Sequence, residues 1–300
     1  VRTIVMTGGT SGFGAITADR LRSAGTRLIL AARRPTAPAE SIPLDLAELD
    51  SVRAFADTLG DRLDPAGIDA LVCNAGGIRA DAAGRTADGY ETTFAVNHLA
   101  HYLLLRLLLP ALADRATVVV TTSGTHDPAT KAGLALPRHA EADLLARPDR
   151  DPGLHTDARE AGQHAYTASK LCVLLTARAL AARPEARERR LSVIAYCPGQ
   201  VFGTGLVGDL PLPMRIAWSV LGTPLGWPLR RFNRFLNTRE AAADGLADLA
   251  LGTEPVPDGE VYAALRRGRI TWPEPSARAR DDQAAEALWR DSATLAGLPD

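Results

Sequence analysis

Thr7-Gly8-Gly9-Thr10-Ser11-Gly12-Phe13-Gly14 stands between two segments of different period. Before it, Arg2–Thr7 is a short β-branched run. After it, Ala15–Ala24 repeats apolar residues at helical spacing. A strand passing through a glycine-rich turn into a helix is the opening of a dinucleotide-binding βαβ unit. Glycines let the backbone approach a pyrophosphate, and the helix start offers N–H groups with no partner of their own. The spacing is G-x-x-x-G-x-G rather than the commoner G-x-G-x-x-G. A plain turn would also fit these residues in isolation, so the remainder of the chain has to decide.

The second strand, Arg27–Ala32, bears on the cofactor. Folds that take NAD place a carboxylate about 20 residues after the glycines, on the ribose 2′-hydroxyl. Here Ala32 holds that place and Arg33 and Arg34 follow. With no acid to repel a 2′-phosphate and two guanidiniums to pair with it, the expectation is NADP(H) over NAD(H). A solvated arginine pair in a loop is the competing reading. Ser41–Leu44 reads as a third strand, with Asp45 and Leu46 at its end, where a carboxylate could reach an adenine amine. Ala47–Leu59 is an amphipathic helix. Ile68–Cys73 is a buried strand running into Asn74-Ala75-Gly76-Gly77, bare backbone suited to close approach of a ligand.

Asp88–Leu109 reads as one long helix closed by Pro110, with Asn97 near its middle. An asparagine there needs a bonding partner. His98 and His101 beside it read as surface or core-edge residues, because nothing nearby completes a metal set. Ala116–Thr122 is a strongly β-branched strand stopped by Ser123-Gly124. Parallel sheets bind ligands at the carboxyl ends of their strands, which would bring Gly8–Gly14, Asn74 and Ser123 to one edge. From 125 to 163 periodicity is lost, apart from a helical patch around His139–Leu145; so long a connection suggests a lid. His126, His139 and His155 read as surface residues, and a substrate contact from His164 stays open.

Tyr166-Thr167-Ala168-Ser169-Lys170 lies in the next helix, Ala165–Arg183. Residues four apart stack on one helix face. An ammonium beside a phenol favours the phenolate, so the expectation is a Tyr166 acid constant drawn down toward neutrality. Lys131 and Lys170 are the only two lysines among 34 basic residues, which suggests that the ammonium itself is needed. Leu191–Cys197 is a further strand ending in Pro198-Gly199-Gln200-Val201. Gly205–Asn237 carries Met214, Trp218, Leu221, Leu225, Trp227, Phe232 and Phe235 between prolines and glycines, and reads as an apolar flap over a substrate pocket. Attachment to a membrane surface through Trp218, Trp227, Arg230, Arg231 and Arg234 ranks below the flap, since the prolines break any long amphipathic helix. Thr238 caps a helix to Leu251, Glu260–Ala264 is a last strand, and Asp281–Leu295 is a final helix.

Composition narrows the classes. Apolar residues are 46% and charged residues 23% of 300, the profile of a globular protein. A net charge of −1 argues against nucleic acid or an anionic surface as partner. Cys73, Cys172 and Cys197 lack metal or disulfide spacing and read as buried free thiols, consistent with a cytoplasmic protein. The start reads directly as strand with no leader, and the unbroken apolar runs are short for a bilayer. Richness in alanine, arginine and proline suggests a bacterial, GC-rich source.

Thr7–Gly14, Asn74–Gly76, Asn97 with Ser123, Tyr166-x-x-x-Lys170 and Pro198-Gly199 occur in an order that resembles the short-chain dehydrogenase/reductase family over about Val1–Leu251. Thr92–Leu104, Ala165–Ala181 and Ala287-Leu288-Trp289 resemble more particularly the branch of retinol dehydrogenases and protochlorophyllide reductases; the stretch between Ser123 and Tyr166 departs from a generic member. The resemblance implies that Tyr166 is the acid or base toward the reacting oxygen and that Lys170 lowers its acid constant and binds the nicotinamide ribose. It implies that Ser123 bonds the reacting oxygen and that Asn97 holds a proton-relay water. Gly8, Thr10, Ser11, Gly12, Phe13 and Gly14 would hold the pyrophosphate, Asn74, Ala75 and Gly76 the adenosine side, and Pro198, Gly199 and Val201 would complete the cofactor site. No metal is implied.

The expectation is therefore one doubly wound, Rossmann-type α/β domain over residues 1–300, with an insertion at 125–163 and a flap at 205–237. It would act as an NADP(H)-dependent oxidoreductase on a carbonyl or alcohol of a bulky apolar small molecule. A C=C reductase or epimerase on the same scaffold, or a non-catalytic cofactor-binding protein, are the alternatives. The resemblance implies either a homodimer paired through Asp88–Leu109 and Ala165–Arg183 or a monomer, since the branch includes both.

Overall fold

The computed structural model describes residues 1–34, 40–63, 65–201 and 233–299. Ten strands are β1 (Thr3–Thr7), β2 (Arg27–Ala32), β3 (Glu40–Pro43), β4 (Ile68–Cys73), β5 (Leu112–Thr121), β6 (Ser192–Cys197), β7 (Gln200–Val201), β8 (Leu236–Asn237), β9 (Tyr262–Arg266) and β10 (Arg269–Thr271). Eight of them form one sheet in the order β10-β9-β6-β5-β4-β1-β2-β3, and β7 pairs separately with β8. All pairings in the large sheet are parallel except the β9–β10 hairpin. Strand order reverses between β1 and β4, and such a switch point opens a crevice at the carboxyl edge.

Alternation along the central strands feeds two cores. Ile4 and Met6 of β1 and Leu28 and Leu30 of β2 face helices Gly12–Ser23 and Arg239–Leu251. Val5, Ile29, Leu71 and Val118 face the opposite layer, built from Leu49–Gly60, Ala100–Leu108 and Ala158–Ala182. Both faces are covered, so β1 is buried at every position, as a central parallel strand requires.

The helix expected from Asp88 begins later and is not uniform. Glu91 caps it, accepting the N–H of Thr93 at 2.8 Å and of Phe94 at 2.7 Å, so the α-turn opens at Thr92. Ala95–Leu99 is then a π-turn around Asn97, and Ala100–Leu108 returns to α. By length and composition this run, Thr92–Ala111, could cross a bilayer, contrary to the sequence expectation, but two thirds of its most apolar window is buried inside the protein. The helix of Tyr166 starts seven residues earlier than expected, at Ala158, because Asp157 caps it by accepting the Glu160 N–H. The final helix, Asp282–Leu295, lies on Ala158–Ala182 and Ala142–Ala146. Trp289 from it meets Tyr102 edge-on at 5.1 Å, and His98 bonds Ser292 at 3.0 Å.

The 125–163 stretch is more ordered than its composition suggests. It holds the 3-10 turns Gly124–His126, Pro128–Thr130 and Pro148–Arg150 and the helix Ala142–Ala146. Ala142, Leu145 and Ala146 are buried, and the Ala146 carbonyl accepts the Glu91 N–H. His126, expected at the surface, is 1% exposed against Tyr262; His98 and His101 are likewise interior. His139 and His155 are partly buried, His139 Nε2 lying 3.2 Å from Asp151 and His155 Nδ1 3.3 Å from Glu160. Most of the expected flap, with Met214, Trp218, Leu221, Leu225, Trp227, Arg230, Arg231 and Phe232, lies outside the described residues. Of its end, Phe235 has the guanidiniums of Arg234 and Arg266 4.9 and 5.7 Å from its ring centroid.

Candidate active site

The carboxyl ends of the central strands line a cleft of about 590 Å³. At one end is the glycine turn. Gly8 has φ +69°, and a Cβ there would stand 2.6 Å from the Ala75 nitrogen. A Cβ on Gly14 would overlap the Gly8 carbonyl. These glycines are therefore required for β1 and β4 to end side by side. Ser11 caps helix Gly12–Ser23 without a side-chain bond, and no acidic residue occupies its first turn. The uncapped N–H groups and the positive helix end suit a pyrophosphate, so the donor set fits a dinucleotide.

Of the residues singled out for the cofactor, Gly8, Thr10, Ser11, Gly12, Phe13, Gly14, Arg33, Asp45, Leu46, Asn74, Ala75, Gly76, Tyr166, Lys170, Pro198, Gly199 and Val201 all line the cleft. Arg34, two residues past the end of β2, does not. Asp45 keeps its carboxylate on the Ala47 N–H at 2.9 Å.

Asn97, Ser123, Tyr166 and Lys170 meet at the other end. Asn97 is 1% exposed. Its amide accepts from Gly77 N–H at 2.9 Å and donates to the Gly77 carbonyl at 2.9 Å and to Ser169 Oγ at 3.0 Å. The π-turn and these three bonds answer the question raised by a mid-helix asparagine. Asn74 is held alike, donating to the Gly8 carbonyl at 3.1 Å and accepting from Thr121 Oγ1 at 3.0 Å. Lys170 Nζ donates to the Thr121 carbonyl at 2.9 Å. The Ser123 hydroxyl faces the same end of the cleft as the Tyr166 phenol and favours its ionised form.

The electrostatics reverse one sequence expectation. Burial pushes the Tyr166 phenol up to about 12, and the Ser123 hydroxyl offsets only part of this. Burial likewise draws Lys170 down to about 8. Both are under 7% exposed, so loss of hydration, and not the i, i+4 spacing, sets the direction of both shifts. At neutral pH the pair is a neutral phenol beside an ammonium.

Residues that sequence reasoning passed over include Thr7, Thr121 and Thr122. Thr7 Oγ1 receives the Asn74 and Ala75 N–H groups, and Thr122 Oγ1 donates to the Lys170 carbonyl at 2.6 Å. Their position at strand ends was a usable signal. His164 is buried on the insertion side, accepting the Arg138 N–H at 3.2 Å, and does not line the cleft. Among the described residues no group of histidine, cysteine or acidic side chains could hold a metal.

Comparison with known proteins agrees with this geometry. The short chain dehydrogenase family model matches residues 2–133. Human retinol dehydrogenase 12 is 32% identical over 316 residues, covering 99% of this chain and 87% of its own length. Protochlorophyllide reductase A from rice is 30% identical over 323 residues, covering 98% and 80%. The crystal structure of 3-alpha-hydroxysteroid dehydrogenase from Pseudomonas sp. B-0831, complexed with NADH, superposes with a TM-score of 0.59 over 87% of this chain and 95% of that one, at 23% identity, a likeness of fold. The chain belongs to the short-chain dehydrogenase/reductase family of oxidoreductases, in the branch of the retinol dehydrogenases and protochlorophyllide reductases.

Proposed function

We propose that the protein is an NADP(H)-dependent oxidoreductase that interconverts a carbonyl and an alcohol on a bulky apolar small molecule. The observation that carries the reading is the gathering of Ser123, Tyr166, Lys170 and Asn97 in one cleft with a helix N-terminus that no side chain caps. The cofactor, when bound, supplies or accepts the hydride. The first turn of Gly12–Ser23 binds its pyrophosphate, and Arg33 pairs with the 2′-phosphate. Tyr166 and Ser123 orient the substrate oxygen through their hydroxyls. In reduction Tyr166 gives its proton to that oxygen, and a phenol that is neutral at pH 7 is in the correct state to do so. The Lys170 ammonium stabilises the phenolate left behind, and Asn97 holds the Gly77 backbone that walls this end of the cleft. The names of the two relatives, a retinol dehydrogenase and a protochlorophyllide reductase, support a large apolar substrate.

Tyr166→Phe tests the assignment. Cofactor affinity, followed by fluorescence titration, stays within about twofold, while carbonyl reduction falls by about 10²–10⁴. Turnover equal to the wild type would remove Tyr166 from the chemistry.

A further inference from the structure

His101 is a buried group outside that chemistry whose ring joins Thr7, at the end of β1, to Asn97 of the cleft. It is 6% exposed and sits one helical turn beyond Asn97. Its Nε2 lies 2.9 Å from Thr7 Oγ1 and its Nδ1 3.2 Å from the Asn97 carbonyl oxygen. Thr7 Oγ1 also receives the N–H of Asn74 at 3.0 Å and of Ala75 at 3.1 Å. A hydroxyl oxygen has two lone pairs and one proton. Both lone pairs are taken by the two N–H groups, so the Thr7 proton is donated to His101 Nε2. The ring proton then resides on Nδ1 and is donated to the Asn97 carbonyl. Asn97 lies in a π-turn, where the regular ladder of α-helical bonds is interrupted, and the His101 ring gives its carbonyl a defined donor. Leucine or phenylalanine would fill the same core space without these partners.

We propose that His101 is a positioning residue that locks the Asn74–Ala75 turn to the π-turn bearing Asn97. The strand end that receives the cofactor and the end of the cleft that reacts are thereby held in one register. The directional chain runs from the Asn74 and Ala75 N–H groups to Thr7, from Thr7 to His101, and from His101 to Asn97. Moving the ring proton to Nε2 would set the Nδ1 lone pair against the Asn97 carbonyl oxygen in the interior. That the cleft takes NADP(H) rests on the function proposed above; the hydrogen-bond chain does not.

The first measurement is the tautomer, from ¹⁵N chemical shifts of histidine in the intact protein at pH 7. A neutral ring protonated on Nδ1 is expected at His101; a proton on Nε2, or an imidazolium, overturns the assignment. The second is a pair of variants, assayed well below their melting temperatures with NADPH. His101→Leu raises the NADPH Kd and lowers kcat, each by about 10- to 100-fold, because a small displacement of the reacting frame is costly. His101→Gln recovers part of both. Thr7→Val cuts the same chain, so the double variant with His101→Leu is no worse than the poorer single one. A His101→Leu protein with lowered melting temperature but wild-type Kd and kcat refutes the proposal. Should that variant fail to fold, the tautomer and Thr7→Val decide alone. An active Tyr166→Phe would overturn the proposed chemistry while leaving the tautomer result standing.

Discussion

Arg33 and Arg34 part at the rim of the cleft, the first lining it and the second not. Replacing them one at a time therefore separates a phosphate clamp from a solvated pair. Both are exposed, so water weakens any ion pair they form. A charge-assisted hydrogen bond contributes about 1.5–3 kcal/mol net, and exposure places Arg33 toward the lower half of that range, at about 2 kcal/mol. This corresponds to about 30-fold in Kd. Arg33→Ala is thus expected to raise the NADPH Kd about 30-fold and to leave the NADH Kd within about twofold. Arg34→Ala should change the NADPH Kd by less than about threefold. Fluorescence titrations at about 50 mM and about 300 mM salt add an internal control. The screening length shrinks from roughly 14 Å to roughly 6 Å between them, so the wild-type preference for NADPH narrows while that of Arg33→Ala scarcely moves. If Arg33→Ala weakens both cofactors equally, or neither, the reasoning from Ala32-Arg33-Arg34 to the 2′-phosphate is wrong.

Acid stability follows from the buried histidines. Burial lowers His98 to about 3, His101 and His126 to about 4, and His164 to about 3. The unfolded chain binds protons at these sites below about 6.5 and the folded one does not, so stability falls as pH drops from 6.5 through 4. His101 alone accounts for about 3 kcal/mol of that loss, and a domain has only about 5–15 kcal/mol to lose. The urea midpoint should decline steeply over this window, and a flat profile would show that the four rings are not held neutral in the fold. Trp289→Ala tests the docking of helix Asp282–Leu295. The indole is 8% exposed, meets Tyr102 edge-on, and has the Arg106 and Arg183 guanidiniums 5.3 and 4.7 Å from its ring. A loss of about 3–5 kcal/mol in denaturant unfolding is expected, and a loss under about 1 kcal/mol would mean that the helix is a dispensable appendage.

The contrast between Asn97 and Tyr166 marks where the sequence stops being legible. Strand-turn-helix order, buried strand runs and residues at strand ends are local signals, and from them, with the resemblance their order carries, the parallel sheet, its active edge and many of the residues lining the cleft could be named, but not Ile78, Arg79, Thr92, Thr93 or Val96. Asn97 also advertised itself, because an asparagine inside an apolar helix needs partners, although the π-turn that supplies them had no signal in the spacing of side chains. Burial is not local. His98 and His101 were read as surface or core-edge residues because no metal set surrounds them in sequence, yet β1 contributes Thr7 to His101 and the distant helix Asp282–Leu295 contributes Ser292 to His98. Tyr166 shows the same limit in its charge. The i, i+4 spacing correctly brought an ammonium into the site and suggested a lowered acid constant, but its sign depends on how much water remains, and the packing of the surrounding elements decides that. A phenol kept neutral by burial is in the state from which carbonyl reduction starts, and alcohol oxidation would start from the phenolate.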